Sequence, residues 1–189
     1  NGCICCTVAD DFIPTIEKLL NRDEPPDHIV IETSGLALPK PLVKAFNWPD
    51  IRTRVTVDGV VTVVDAPAVA AGRFAADPGA VQAQRVVDDA LDHDSPLEEL
   101  FEEQLLCADL VILNKTDLLD EADIGPLSEE VRKQLRPAVK LIGAKHGQVD
   151  NAVLLGLEAA AEDDLDSRPS HIDADGEHDH DDFTSFTID

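Results

Sequence analysis

The sequence predicts an α/β fold in which a mainly parallel sheet carries helices on both faces. Two patterns carry this prediction. Short apolar runs alternate along the chain with segments of helical periodicity, and polar motifs stand directly after several of the runs. Length agrees, because 189 residues with 43% hydrophobic content suffice for one domain with a sizeable core and a tail. Ligands bind such sheets at the carboxyl ends of the strands, so the polar motifs mark the candidate site.

Four apolar runs predict the strands. Most of them are short, as buried strands of a parallel sheet are, and the second is long enough for two strands because Asp58 and Gly59 interrupt it. In chain order the predicted strands cover residues 28–32, 55–64, 109–113 and 139–142.

Periodicity and cap signals predict six helices between these strands. Ser95, Pro96 and Glu98 form a capping box that starts the fourth helix, and the fifth carries acidic residues early and basic residues late, as the helix dipole favours. The predicted helices cover residues 12–20, 39–46, 80–91, 96–107, 128–135 and 152–161.

The chain is strongly acidic, with 15 Lys and Arg against 39 Asp and Glu and a net charge of −24. We therefore expect neither nucleic acid nor an anionic membrane as a partner, because both attract basic surfaces. No apolar run approaches the length of a membrane span. The sequence contains no Met and begins with Asn1, so we expect it to be an internal part of a longer protein.

Acidic residues and histidines crowd the end of the chain. We predict a folded domain over residues 1–161, a disordered linker over 162–182, and the start of a further domain over 183–189, where the residues alternate as in a strand. His178 and His180 lie among aspartates in the linker and are candidate ligands for weak metal binding. A plain solvated linker remains the alternative.

A guanine-recognition motif follows the third predicted strand. Asn114, Lys115 and Asp117 have NKxD spacing, and a carboxylate at the last position accepts two hydrogen bonds that guanine offers and adenine does not. The alternative is an ordinary polar turn. Ala144 and Lys145 follow the last strand and resemble the final base-binding loop of GTPases, with Gly143 where Ser is usual; a plain turn is an equal alternative.

A second strand-end motif places Glu32 before Thr33, Ser34 and Gly35. The carboxylate of Glu32 suits the hydration shell of Mg²⁺ or the positioning of a water, and the amide of Gly35 suits contact with a γ-phosphate. By itself this motif is weak evidence for a nucleotide site, and the NKxD motif further along the chain strengthens that interpretation. The alternative is an acidic residue in an ordinary loop.

Three thiols stand within four residues near the start of the chain. Cys3, Cys5 and Cys6 suit a soft or borderline metal ion in a reducing compartment such as the cytoplasm. A redox switch and a small apolar turn are the alternatives. Cys107 has apolar neighbours and is expected to be a small buried hydrophobe rather than a ligand.

No GxxxxGK[ST] phosphate loop occurs in the sequence, so we do not expect this chain alone to hydrolyse GTP. Taken together, the motifs resemble those of the CobW-type GTPase metallochaperones, and in particular the cobalamin-biosynthesis branch. The resemblance covers essentially the whole chain. It rests on Gly2-Cys3-Ile4-Cys5-Cys6, on Glu32-Thr33-Ser34-Gly35-Leu36-Ala37 with Pro39, on Asn114-Lys115-Thr116-Asp117, and on the tail of His and Asp.

This resemblance implies a P-loop GTPase-like domain of the SIMIBI class that lacks its first strand and phosphate loop. It implies GTP and Mg²⁺ as ligands, with Glu32 and Gly35 sensing Mg²⁺ and γ-phosphate. The cargo would be Co²⁺, held by the cysteines and delivered to a receiving protein such as a cobaltochelatase, with room for a nucleotide-dependent homodimer. Open alternatives are a Zn²⁺ or Ni²⁺ chaperone, a metal buffer without turnover, and a thiol redox sensor.

Overall fold

The computed structural model describes residues 4–75, 77, 79–81, 83 and 96–170, with side chains from residue 12 onward. Its named helices are α1 (Ile4–Leu20), α2 (Pro39–Ala45), α3 (Pro49–Arg52), α4 (Ala66–Ala70), α5 (Leu97–Cys107), α6 (Glu121–Arg132) and α7 (Asn151–Leu154). Its strands are β1 (Val61–Asp65), β2 (Leu110–Asn114) and β3 (Lys140–Gly143), and short 3-10 helices span Thr116–Leu118 and Leu165–Ser167. In the described ranges, every helix lacks the length or the apolar character that crossing a membrane requires.

The three strands form one parallel sheet in the order β1-β2-β3. The parallel arrangement predicted from the sequence is therefore confirmed. Because Asp65 is paired in register with Asn114 and Leu113 with Gly143, all three strands end at one edge. The polar motifs that follow β2 and β3 are thereby brought side by side.

Strand β2 is buried on both faces, as the centre of a parallel sheet must be. Val111 and Leu113 pack against a cluster that α5 and α6 provide. Leu110 and Ile112 face the opposite side, where Leu154 of α7 and Leu157 cover them. These two clusters hold the middle of the sheet.

The strand predicted over residues 28–32 was wrong, because this segment is irregular in the structure. Val30 is 83% exposed although its sequence context is as apolar as that of a core strand. In the part of the chain that the structure describes, the sheet's hydrogen-bonded order begins at β1, and Val63 on that strand is 63% exposed. Apolar residues form a strand only when a neighbouring strand takes up their backbone groups.

The helix predicted over residues 152–161 was also largely wrong. Only α7 is helical, and left-handed backbone follows at Gly156, Glu158 and Ala160, with φ of 79°, 55° and 43°. The carboxylate of Asp58 accepts hydrogen bonds from the amides of residues 156, 157 and 158 at 2.7–3.1 Å. A side chain distant in sequence thus takes the amide protons that helix continuation would use.

The helices predicted over residues 12–20, 39–46, 96–107 and 128–135 are confirmed with shifted ends. Helix α1 begins earlier than the predicted 12–20, and α6 begins seven residues before the predicted 128–135, with acidic Glu121 and Asp123 in its first turn. Helix α5 begins at Leu97, after Pro96, and Ser95 lies outside the described residues. Most of the helix predicted over 80–91 also lies outside them.

Residues 162–170, which the sequence placed in the linker, pack against the domain. Arg168 is 1% exposed, and its guanidinium donates to the carbonyl of Cys107 and to both carboxylate oxygens of Asp109. Glu162 is also buried and accepts from the hydroxyl of Thr56. The acidic composition suggested disorder, but composition does not show which individual charged side chains form hydrogen bonds or ion pairs with the folded domain. The rest of the predicted linker lies outside the described residues.

Candidate functional site

The loop after β2 has a fixed, unusual backbone. Lys115 adopts the left-handed conformation with φ of 63°, which turns the chain sharply between Asn114 and the 3-10 helix that contains Asp117. A side chain other than Gly in this region costs free energy and persists where its surroundings hold it. The turn leaves Lys115 and Asp117 exposed while Thr116 is buried.

Thr116 fastens this loop to the one that follows β3. Its amide and its hydroxyl donate to the carbonyl of Ala144, at 3.1 and 2.9 Å. Ala144 is itself buried, and its own amide donates to the carbonyl of Leu113 at 2.8 Å. The amide proton of Ala144, a predicted base contact, is therefore already engaged in the sheet.

A tight turn over residues 145–148 completes the connection. The amide of Gln148 donates to the carbonyl of Lys145 at 3.0 Å, and His146 and Gly147 both have positive φ, as in a type I′ turn. The side-chain oxygen of Asn114 accepts the amide of Gly147 at 2.9 Å. Asn114 thus holds the two loops together.

Lys115 is joined to the neighbouring strand. Its ammonium lies 2.6 Å from the carboxylate of Asp65, the last residue of β1, and that carboxylate also accepts the amide of Ala68. Burial opposes the shift, but the hydrogen bonds from Lys115 and Ala68 and the charge of Lys115 lower the pKa of Asp65. The sequence reading missed Asp65. The available signal was an acidic residue at the end of a Val-rich run, the rule that selected Glu32.

Beside the loops lies an open depression of about 380 Å³. It is lined by Thr116, Ile124, Gly143, Ala144, Lys145 and Gln148. A β-carbon built on Gly143 would stand 3.6 Å from a methyl of Thr116, which is ordinary contact, so the site has room for the Ser that Gly143 replaces. The structure therefore places the loop of Asn114, Lys115 and Asp117 beside the loop of Ala144 and Lys145, and of these five residues Ala144 and Lys145 line the depression. The carboxylate of Asp117 lies 3.6 Å from the imidazole of His146, which sequence reasoning did not select.

The second motif is arranged differently. Glu32 is exposed on the irregular segment, and Gly35 lies in a turn closed by the amide of Ala37 and the carbonyl of Ser34 at 3.0 Å. Gly35 lines a cavity of about 200 Å³ that Asp65 of β1 also lines. Glu32 is absent from that lining. Of the two residues predicted to sense Mg²⁺ and γ-phosphate, Gly35 therefore lies near the end of β1, and Glu32 does not line this cavity.

The metal ligands predicted from the sequence fall largely outside the description. Cys3, His178 and His180 lie outside the described residues, and Cys5 and Cys6 are placed by their backbone alone, in the first turn of α1. Within the described ranges, no group of three or more His, Cys, Asp or Glu is arranged to hold a metal ion. Cys107 is buried with Val43, and burial raises the pKa of its thiol, which confirms the expected small hydrophobe.

Comparisons with known proteins find sequence similarity over the whole chain. Residues 1–142 match the model of the CobW/HypB/UreG nucleotide-binding domain. The zinc chaperone CobW of Sinorhizobium sp is 60% identical over the whole chain and 54% of its own length, and that of Pseudomonas aeruginosa is 56% identical over 92% of the chain and 46% of its length. The zinc-regulated GTPase metalloprotein activator 1 of Schizosaccharomyces pombe is 33% identical over 84% of the chain. The chain spans about half the length of the first two relatives. No solved structure matches it.

Proposed function

The chain belongs to the CobW/HypB/UreG nucleotide-binding family, and from this premise we propose that it is the guanine-recognising part of a GTP-dependent metallochaperone. One observation carries the proposal: the NKxD loop is held open and fixed by three separate ties. Thr116 binds Ala144, Asn114 binds Gly147, and Lys115 binds Asp65. A site ordered before its ligand arrives loses little entropy on binding.

The residues fit a guanine base. The carboxylate of Asp117 would accept the N1 proton and the 2-amino group, and the alkyl stem of Lys115 would lie on the face of the ring. The carbonyl oxygen of the base would be read by the amide of Lys145 or His146, because the amides of Ala144, Gly147 and Gln148 already donate within the protein. Bound GTP would supply a γ-phosphate, whose presence distinguishes the two states of the protein. Glu32 and Gly35 are the residues we assign to Mg²⁺ and that phosphate.

The cargo we propose is Zn²⁺ or a similar ion held by Cys3, Cys5 and Cys6. Thiolates suit borderline ions, and the Irving–Williams order places Zn²⁺ above Co²⁺. The names of the three relatives refer to zinc. Co²⁺ delivery for cobalamin synthesis is the finer alternative, with a cobaltochelatase as the receiving protein. Cytoplasmic location and a nucleotide-dependent homodimer stay predictions of the same scheme.

Nucleotide specificity tests the first half of the proposal. We would measure binding of GDP, ADP and xanthosine diphosphate to the full-length protein and to its Asp117→Asn variant. We expect GDP affinity to fall about 100-fold, because two hydrogen bonds to a charged group are lost. Xanthosine diphosphate should then bind, since xanthine presents a carbonyl where guanine has an amino group.

Asp120→Asn is the matched control, because Asp120 is exposed three residues further on and makes no capping hydrogen bond. It should leave GDP affinity unchanged. Equal affinity for GDP and ADP in the unaltered protein, or GDP binding untouched by Asp117→Asn, would refute guanine recognition at this loop.

Metal titration tests the second half. We would titrate Zn²⁺ and Co²⁺ separately into the full-length protein under anaerobic conditions, with Mg-GTP and with Mg-GDP. We expect tighter binding with GTP and its loss in Cys5→Ser and Cys6→Ser. Cys107→Ala is the control, because Cys107 is buried among apolar residues. Binding that survives both serine variants and disappears in His178→Asn with His180→Asn would instead indicate a metal buffer in the tail.

A further inference from the structure

Gln104 on α5 binds the turn that contains Gly35. Its side-chain amide donates both protons, one to the carbonyl of Gly35 at 2.9 Å and one to the carbonyl of Ala37 at 3.1 Å. These residues are 69 and 67 positions away in sequence. A single side chain therefore holds two carbonyls of one turn.

The same stretch of α5 supports both neighbours of this contact. The hydroxyl of Thr62 on β1 donates to the backbone carbonyl of Gln104 at 2.9 Å. Leu36 and Leu38, which flank Ala37, are buried against Leu100, one helical turn before Gln104. The turn is thus seated on α5 by two apolar side chains, and Gln104 fixes the direction of its peptide groups.

Gly35 has no side chain with which to hold the turn in place. It is exposed, and a β-carbon built on it would meet no atom within 4 Å. Two hydrogen bonds lie within the turn, from the amides of Leu36 and Ala37 to Ser34. Among the described residues, the hydrogen bonds that join the turn to the rest of the protein come from Gln104. Holding the carbonyl of Gly35 fixes the peptide plane on the C-terminal side of this residue, and so restricts a backbone that glycine otherwise leaves free.

We propose that Gln104 is a positioning residue that sets the preference of this protein for GTP over GDP, an inference that rests on the proposed function. By fixing the carbonyls of Gly35 and Ala37, it limits the movement of the backbone at Gly35, whose amide we assign to the γ-phosphate. Gln104 itself touches neither nucleotide nor metal in this scheme. Its effect should therefore appear with the triphosphate and be absent with the diphosphate, which lacks the group that the turn senses.

The test compares two nucleotides in the full-length protein. We would measure the Kd of GDP and of a non-hydrolysable GTP analogue for the unaltered protein and for Gln104→Met, which keeps the shape and removes both donors. We expect the Kd of the analogue to rise about ten-fold, the equivalent of one to two neutral hydrogen bonds, with the Kd of GDP unchanged. Gln104→Glu should have a larger effect, because its carboxylate faces two carbonyl oxygens. Gln104→Lys, which restores a donor, should recover part of the preference.

Gln134→Met is the matched control, because Gln134 is exposed just beyond α6. It should change neither Kd. An unchanged ratio of the two Kd values in Gln104→Met would overturn the inference, and so would an equal rise in both with a lower melting temperature, since that result indicates support of the fold alone. Failure of the unaltered protein to bind GDP would refute the proposed function itself, whereas normal GDP binding with an unchanged ratio refutes only the role of Gln104.

Discussion

Two segments with nearly the same apolar sequence have opposite structures. Ile29-Val30-Ile31 precedes the Glu32 motif, and Leu110-Val111-Ile112 precedes the NKxD motif. The second forms the centre of the sheet, with Val111 fully buried, while the first is irregular, with Val30 mostly exposed. The difference lies in their neighbours, because β2 pairs with a strand on each side.

The comparison shows that a strand-end motif is only as ordered as the strand that carries it. The NKxD loop directly follows β2, so the pairing of β2 fixes its position. Hydrogen bonds join the loop to Asp65 at the end of β1 and to the loop that follows β3. Glu32 follows a segment without strand pairing, and the turn after it depends on α5 instead. Three sets of substitutions test this difference between the two segments.

The largest effect is expected where β2 begins. The carboxylate of Asp109 accepts from Arg136, Arg168 and the amide of Val60, and it is largely buried. Asp109→Asn removes the counter-charge of the buried Arg168 and leaves Arg136 with the half-exposed Asp164 alone. We expect the free energy of unfolding to fall by about 3 kcal/mol, measured by urea denaturation.

Asp163→Asn is the control for this change, because the ion pair of Asp163 with Arg52 is exposed on both sides. It should cost under about 1 kcal/mol. If both variants lower the free energy of unfolding equally, the buried ion pairs of Asp109 do not anchor β2. The difference between the two segments would then need another cause.

A matched pair of alanine variants tests the contrast directly. Val111→Ala opens a cavity in the core and should lower the free energy of unfolding by about 2–3 kcal/mol. Val30→Ala removes the same atoms from an exposed side chain and should cost under about 0.5 kcal/mol. Urea denaturation of both variants provides the comparison. Equal losses would show that residues 28–32 are packed in solution and would cancel the distinction.

The smallest effect concerns the link between β1 and the NKxD loop. The folded pKa of Asp65 is lowered, so its ionised form stabilises the fold above its ordinary pKa of 3.8, and this stabilisation disappears as pH falls through the folded value. Asp65→Asn should flatten that part of the acid unfolding curve. Because Lys115 is half exposed, we expect under about 1 kcal/mol.

Acid titration followed by circular dichroism measures this effect, with Asp77→Asn as the reference for a carboxylate away from Lys115. If the two variants give the same curve, then Asp65 does not stabilise the loop through Lys115.

The sequence was informative where structure is set locally or by burial. Periodicity located α1, α2 and α5, and apolar runs located β2 and β3. The sequence was misleading where a residue distant in the chain determines the local structure. Asp58 does so at residues 156–158, and the contact of Arg168 with Asp109 does so in the predicted linker. Neither partner is visible in a local pattern.

The candidate site divides in the same way. The residues of the NKxD motif can be recognised by their spacing in the sequence, and in the structure they lie in one loop that is bonded to the loop after β3. Asp65 and Gln104 act through contacts across 50 or more residues, so no motif contains them together with their partners. The fold supplies this information by placing strand ends at one edge and a helix beside them.

The anchoring of Arg168 to Asp109 has a mechanical consequence. It fixes the last described part of the chain at the root of β2, whereas Asn114 stands at the other end of the strand, about 16 Å away for five residues of extended chain. Arg168 therefore lies at the edge of the sheet opposite the loops that follow β2 and β3. Strand β2, which is buried on both faces, separates the buried ion pair from these loops by its whole length.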